Sequence, residues 1–417
     1  MGEVALEACL PVPSHRPRHY EDLEENTPAS LSGTKPLPLP QPFLDYLHRS
    51  GISPSIYLGV LPRYIRVKPT FEDKISSLEM ELGCKISPVT WLHGFYMLPH
   101  DAQIASSVAY QAGEIYGMDV ASGAAVQALG VQEGDHVLDL CAAPGAKLCM
   151  LAGQLGNNGT LTGVDIARHR LAACRTMLQK YGLGNSCRLF VADGTCFDLL
   201  PITQRTGSKD IMPSTNETVS EVFGEWCSRK TRRQKKREGR LQKEGDKIEL
   251  LFYGNGSGVV GLTKNQLLAN CSMLQRNHSA DHYDKVLVDA ECTHDGSLKH
   301  ICKYEQWGWE TLERRLLDPE RMASITKLQL QLLTNGFRLL KTGGTLVYST
   351  CSLTYDQNEG VLDKFLNLHY NAELVEITEC NRAGWPCEDG KLPHTLRFNP
   401  SRSRTSGLFI AKIHKCQ

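Results

Sequence analysis

A doubly wound α/β fold, in which a parallel sheet is covered by helices on both faces and a small α/β appendage precedes it, is what this 417-residue sequence predicts. Two runs of alternation carry that expectation. The first starts near residue 135: strand-like "HVLDLCA", helical "AKLCMLAGQL", strand-like "GTLTGVDI", helical "RHRLAACRTMLQKYG" and strand-like "CRLFVADG". The second follows about 280, with "YDKVLVDA", helical "ASITKLQLQLLTNGFRLL", "GTLVYSTC", helical "QNEGVLDKFLNL" and "GLFIAKIHK". Short β-rich runs separated by amphipathic helical ones read as βαβ units, because parallel neighbours need a crossover between them. An apolar content of 41% is ample for the core such a sheet needs.

The elements divide the chain as follows. Residues 1 to 40, with "TPASLSGTKPLPLPQP", are rich in Pro, Ser and charge and are expected to be a disordered tail, because they cannot bury enough apolar area to offset chain entropy. Residues 41 to 112 are the appendage, opening on the helical "FLDYLHRSG" and carrying Arg63, Arg66 and Lys68 on a short strand that offers either a basic edge to RNA or a solvated face. The large domain occupies 113 to 417 and is interrupted by a polar insertion at about 200 to 280. That insertion contains "SRKTRRQKKREGRLQKEG" (228 to 245), which reads as solvated helix or disorder, as an RNA-contacting arm, or as a nuclear import signal.

Lys plus Arg and Asp plus Glu both number 46, so the net charge argues for no partner and any nucleic-acid contact has to come from local patches. Fifteen cysteines without a CxxC pair, behind an N-terminus with no long apolar core, point to free thiols in a reducing compartment, nucleus or cytoplasm. No window approaches the roughly 20 apolar residues of a membrane span. No membrane, no metal and a monomer are the expectations.

In an open parallel sheet, ligands bind beyond the carboxyl ends of the strands. After the first strand comes "CAAPGAK" (Cys141, Ala142, Ala143, Pro144, Gly145, Ala146, Lys147), whose small residues let backbone approach a ligand and leave N–H groups free at a helix start. After the second comes Asp165, placed to accept from both hydroxyls of a ribose; after the third, Asp193, within reach of an adenine amino group. The loop lacks G-x-G-x-x-G, which speaks against a dinucleotide. Gly-rich and acidic ends in this order suit S-adenosylmethionine, a cationic ligand with a ribose and no phosphate. Each carboxylate alone could equally be a helix cap.

The fourth and fifth strands end at Asp289-Ala-Glu-Cys292 and Ser349-Thr350-Cys351, so two thiols should overlook that same pocket. Two thiols beside a methyl donor suit methylation of a pyrimidine carbon that is not itself nucleophilic. One thiolate adds to C6 of cytosine and makes C5 electron-rich, and a second group removes the C5 proton so that the first thiol can leave.

At these residues the sequence resembles the Sun-type (NSUN) RNA 5-methylcytosine methyltransferases. The matching pieces are "GMDVASGAAVQALGVQEGDHVLDLCAAPGAK", "GVDI", "ADGT", "VLVDAEC", "LLKTGGTLVYSTCSLTYDQNE" and "RTSGLFIAKIHK", in the family's order over about 115 to 200 and 283 to 415. The resemblance implies a Rossmann-like methyltransferase sheet with Cys351 as nucleophile and Cys292 as the thiol that assists release. It also implies that Cys141 to Lys147, Asp165, Asp193 and Asp289 line the cofactor site, with Asp289 and Lys147 near the base. Two departures stand out: Glu291 replaces the family's usual Pro, and Ala146 its usual second Gly. A carboxylate at Glu291 is expected to raise the pKa of Cys292, and Ala146 to cost mild strain. Substrate grip is expected from the appendage, Lys299, His300 and the insertion, with Trp307 and Trp309 as stacking or core residues. Transfer RNA is the expected substrate and ribosomal RNA the alternative; a catalytically impaired S-adenosylmethionine-binding RNA scaffold is the competing reading.

Overall fold

Two β-sheets organise the computed structural model, which describes residues 39–156, 158–202, 223–224, 248–273 and 281–417. The smaller has strands β1 (Arg63–Val67), β2 (Ser87–Pro88), β3 (Phe95–Leu98) and β4 (Ile115–Gly117) in the order β2-β3-β1-β4. The larger has ten: β5 (His136–Asp139), β6 (Thr160–Asp165), β7 (Cys187–Val191), β8 (Glu249–Tyr253), β9 (Tyr283–Asp289), β10 (Leu340–Thr350), β11 (Ala372–Leu374), β12 (Glu388–Asp389), β13 (Thr395–Phe398) and β14 (Leu408–Lys415). Their order is β12-β13-β14-β10-β9-β5-β6-β7-β8, with β11 paired to β14. The five central strands β10, β9, β5, β6 and β7 are mutually parallel, and β8 and β14 flank them antiparallel.

The strand period of two sends successive side chains to opposite layers. Val137, Leu287 and Val347 enter one core with the helices Val120–Leu129 and Ala146–Leu155, while Leu138, Val286, Val288, Leu346 and Tyr348 enter the other, where the helix Pro319–Leu339 supplies Leu332, Leu333 and Phe337. That helix starts where Asp318 Oδ1 accepts the N–H groups of Glu320 and Arg321 at 2.9 and 3.3 Å, followed by Pro at its first position.

Three sequence boundaries move. The appendage sheet extends past 112, because Ile115 of β4 pairs with Val67 of β1. The helix Gln41–Arg49 and Tyr57 leave that sheet and pack Phe43 and Leu47 against Ile301 and Tyr304 of the helix Leu298–Trp307. Residues 249–253, read as insertion, are β8, a strand of the main sheet. The basic run 228 to 245 and the tail 1 to 38 lie outside the described residues. In the appendage, Arg63 Nη1 donates to Ala102 O at 2.8 Å, and the Arg66 guanidinium lies 5.2 Å from the Phe95 ring centroid, so both cations have partners within the appendage itself. No helix among the described residues is long and apolar enough to cross a membrane.

From β5 the chain continues outward through β6 and β7, then returns to place β9 and β10 on β5's other side. Such a reversal opens a crevice at the carboxyl ends of β5 and β9. Asp139 ends β5 there, fully buried, with Oδ1 accepting the Cys141 N–H at 3.2 Å. Burial, and next the Asp289 carboxylate, push the Asp139 carboxyl up to about 7. A carboxyl raised in the folded state keeps a proton that the unfolded chain has released. Its stabilising contribution is therefore present below the unfolded value, about 4, and is lost as pH rises through the folded one. Asp139→Asn keeps an acceptor for Cys141 without the charge. In urea unfolding of the ligand-free protein it should match the wild type near pH 4 and gain on it with rising pH, by at most about 1.4 kcal/mol per pH unit, levelling off above about pH 7. A pH-independent difference between the two proteins would show that Asp139 is ionised throughout.

Candidate active site

The loop after β5 is fixed from two sides. Asp165 at the end of β6 accepts the Ala143 N–H on Oδ2 at 3.2 Å and the Ala167 N–H on Oδ1 at 2.8 Å, and Arg170 Nη2 donates to Ala143 O at 3.0 Å. Gly145 has φ +111, and a Cβ there would lie 3.1 Å from Cys174 Cα, so both the turn and the packing demand glycine. Ala146 is the first residue of the helix Ala146–Leu155 and has no positive φ, so the strain expected of it does not arise. Asp193, exposed after β7, accepts from the Thr195 N–H and hydroxyl at 2.9 and 2.7 Å. Burial and the Asp139 carboxylate push the Cys141 thiol well up.

Lys147 crosses the crevice. Its Nζ donates to Asp289 Oδ2 at 2.8 Å and to Ser122 Oγ at 3.2 Å, while Ser349 Oγ donates to the other Asp289 oxygen at 2.8 Å. Burial works against the ammonium, but Asp289 outweighs it and holds Lys147 above the ordinary lysine value. The Lys147 ammonium is thus already committed to a carboxylate, with Asp139 and Asp165 nearby.

The structure brings the two cysteines together: Cys292 Sγ and Cys351 Sγ are 3.3 Å apart. A third group joins them that the sequence reading missed. His294 Nδ1 lies 2.8 Å from Cys351 Sγ and 3.8 Å from Cys292 Sγ. The hydrogen bond from Cys351, and then His294 against the opposing effect of burial, hold Cys292 well below the ordinary thiol range, while that same shared bond together with burial pushes Cys351 up. The pair therefore gives up its first proton readily and its second with difficulty, because two thiolates at this separation repel. His294 is raised to about 8, chiefly by Cys292. Its signal in the sequence was a histidine two residues past Cys292, in a polar turn at a strand end.

Asp295 and Gln357, also unread in the sequence, fasten the loops that carry these thiols. Asp295 Oδ2 accepts from the Thr293 hydroxyl and from Ser352 Oγ, the latter at 2.7 Å, and its Oδ1 accepts the Leu353 N–H at 2.6 Å. Gln357 Oε1 accepts the Thr293 N–H at 3.0 Å, and its amide donates to Thr293, Ser352 and Thr354. Glu291 turns away from the thiols. It is exposed and ion-paired to Arg321 at 3.5 Å, so the expected upward push on Cys292 is absent and Cys292 moves the other way. His300 packs against His294 with ring centroids 4.7 Å apart and the rings tilted, Trp307 packs against His300 and Tyr304 at 39% exposure, and Trp309 packs on the Phe43 cluster; Lys299 is exposed.

Residues 126–205 and 258–414 match the family model described as 16S rRNA methyltransferase RsmB/F. The rRNA (cytosine-C(5))-methyltransferase NOP2C of Arabidopsis thaliana is 25% identical over 340 residues, covering 72% of this chain and 53% of its own length. The 5-cytosine rRNA methyltransferase NSUN4 of Mus musculus is 29% identical over 264 residues, covering 63% and 48%. The chain thus spans about half the length of the curated relatives it matches. The crystal structure of NSun6 from Pyrococcus horikoshii with SFG shares the fold, with a TM-score of 0.61 at 15% identity over 91% of this chain and 99% of that one. With more than half of its residues inside the matched segments, the chain belongs to the RsmB/F methyltransferase family.

Proposed function

We propose that this chain is an RNA cytosine-5 methyltransferase that uses S-adenosylmethionine and a covalent bond between Cys351 and the target base. The observation that carries the reading is the meeting of two thiols 3.3 Å apart, from the ends of β9 and β10, beside the Asp289–Lys147 pair. Methyl transfer to oxygen or nitrogen needs no thiol pair. The residues fit the cofactor through the chemistry of their donors: Asp165 and Asp193 offer acceptors to ribose and adenine, the acidic crevice suits a cation, and among the described residues the Lys147 ammonium of the crevice is bonded to Asp289 rather than open to a phosphate. Ile166, 71% exposed next to Asp165, adds an apolar face of the kind an adenine ring covers. S-adenosylmethionine supplies an electrophilic methyl on a positively charged sulfur.

The chain's own residues do the rest. Cys351 thiolate forms a bond to C6 of cytosine, and the ring electrons shift to C5, which becomes the nucleophile for the methyl group. Asp289 accepts a hydrogen bond from the cytosine amino group, a donor that uracil lacks. Cys292, as thiolate, takes the C5 proton; the C6–sulfur bond then breaks, its electron pair stays on Cys351, and the C5–C6 double bond returns. The base reaches buried thiols only when unstacked, so a loop or flipped nucleotide is the substrate. The relatives reported above carry rRNA in their names, so ribosomal RNA is proposed ahead of transfer RNA; bisulfite sequencing of RNA after loss of the protein identifies the modified cytosine.

Two measurements test this reading. Asp165→Ala should weaken S-adenosylmethionine binding by about 1.5 to 3 kcal/mol in calorimetry, the scale of a lost charge-assisted hydrogen bond, and unchanged affinity would remove Asp165 from the site. Cys351→Ala should abolish methylation and form no protein–RNA bond, whereas Cys292→Ala should complete one methyl transfer and then persist as an RNA adduct on denaturing gels. An adduct from the Cys351 variant but not from the Cys292 variant would reverse the two roles.

A further inference from the structure

The active-site reading leaves one group without work: an imidazole whose Nδ1 is 2.8 Å from the attacking sulfur. Its backbone is unusual as well. His294 has φ +57, in the left-handed region where a residue with a Cβ is disfavoured and where glycine would be at ease. A strained backbone that keeps a large polar side chain against a reactive sulfur asks for a functional reason.

We propose that His294 is a further catalytic residue, the acid–base partner of the thiol pair: its Nδ1 takes one proton from Cys292 and Cys351, and the imidazolium holds the thiolate that Cys351 needs to attack an RNA cytosine. The substrate class rests on the function proposed above; the thiol chemistry does not. The protons balance through the cycle. Two thiols and a neutral imidazole become one thiolate, one thiol and one imidazolium. The hydrogen bond between the sulfurs, 3.3 Å long, passes the remaining proton to Cys292 as the Cys351 lone pair bonds to C6. Cys292, still beside the imidazolium, then releases that proton to solvent and is ready to take the one from C5. When the C6–sulfur bond breaks, Cys351 leaves as thiolate opposite an imidazolium that has kept its charge, and the resting arrangement is restored.

The groups facing His294 suit a standing positive charge. Cys292 and Cys351 lie on one side, and the Glu291 and Asp289 carboxylates both favour the cation. His300, tilted against it with ring centroids 4.7 Å apart, does not oppose it: burial, and next the His294 charge, push His300 down to about 3, so it stays neutral. An imidazolium against a thiolate in a partly buried site depresses thiol pKa values well below the free value.

Two thiols and an imidazole within 4.8 Å of one another could instead be drawn together by a soft metal ion such as zinc. That reading and this one exclude each other, because coordination would occupy the Nδ1 lone pair that receives the proton and the sulfur that must attack.

His294→Gly and His294→Gln are the test, glycine because the left-handed backbone accepts it without strain. Alkylation by iodoacetamide at about pH 6.5 of Cys351, the more exposed of the two sulfurs that share one thiolate charge through their hydrogen bond, located by peptide mass spectrometry, should be fast in the full-length wild-type protein. It should be slower by about 100-fold in both variants, the lower end of what a positioned acid–base group contributes. Added imidazole should restore the rate in His294→Gly, which has room for it, and not in His294→Gln; a merely structural role would show no such rescue. RNA methylation should fall and recover in parallel. Unchanged alkylation in both variants, loss without imidazole rescue, or a stoichiometric metal ion in purified protein would overturn the inference. If Cys351 behaves as expected while the wild type methylates no RNA, the assigned function fails and the thiol–imidazole partnership stands.

Discussion

The geometry of the thiol pair depends on one buried carboxylate. Asp295 is fully buried, and burial pushes its pKa up, so holding it there works against the fold unless its oxygens are satisfied. They are, by Thr293 on the loop after β9 and by Ser352 and the Leu353 N–H on the loop after β10. Each donor neighbours a thiol in sequence, Thr293 next to Cys292 and Ser352 next to Cys351. The carboxylate therefore fixes the distance between two sulfurs that belong to different strands. Gln357 doubles the link, Gly296 N donates to Cys351 O at 3.0 Å, and Tyr57 donates its hydroxyl to Asp295 O at 2.6 Å, which ties the N-terminal helical segment to the same point. A network satisfied at every member holds positions to tenths of an ångström, whereas an isolated apolar contact tolerates slippage. The covalent catalysis proposed for the two thiols needs that precision, since a displacement of about an ångström costs orders of magnitude in rate.

How far the sequence disclosed this follows from the range of each signal. The parallel strands were legible because apolar runs alternating with amphipathic helices repeat over long windows, and the parallel core β10-β9-β5-β6-β7 matches them. β8 was not, since "ELLFY" is a single short run among polar residues with no helix of its own to announce a crossover, and its antiparallel pairing to β7 needs none. β4 escaped for a related reason: three residues, Ile115 to Gly117, are too few for a period and gain their identity from pairing with β1. In the site, the strand-end carboxylates and the two cysteines were legible because the topology places every strand end of a parallel sheet on one side. His294 and Asp295 were not, because their partners lie 57 and 58 residues away in sequence, and only the fold brings Cys351 and Leu353 to them. Glu291 shows the converse error. It adjoins Cys292 in the chain, yet its side chain turns outward to Arg321, so proximity in sequence overstated its electrostatic reach.

Charge in the crevice is distributed unevenly, and the unevenness has a consequence. Around the end of β5, Asp139, Asp165 and Asp289 gather with Lys147 as their close cation, and Lys147 is already bonded to Asp289. The excess of negative charge makes it costly for every carboxyl to ionise at once, and so adds to the burial that chiefly holds the Asp139 proton. An arrangement that is unfavourable alone becomes favourable when a cation enters, because the same carboxylates that repel one another then share a counter-charge. A sulfonium ligand without phosphate is such a cation, and a dinucleotide would bring the opposite sign.

On the far side of Asp289 the sign reverses. Lys147 and His294 approach the thiol pair from two directions, and both favour a negative sulfur: Lys147 by lowering Cys351 and His294 by lowering Cys292. A single crevice thus has an acidic half, suited to the proposed methyl donor, and a half with cations beside the proposed nucleophile, with Asp289 between them bonded to Lys147 and to Ser349 of β10. Two opposite local fields within one site cannot be made by net charge, which is zero for the chain; they require that each ion be held by the backbone of a different strand. A parallel sheet supplies that, since β5, β6, β9 and β10 end on the same side, at neighbouring but distinct positions, and each delivers its own side chain to a fixed place.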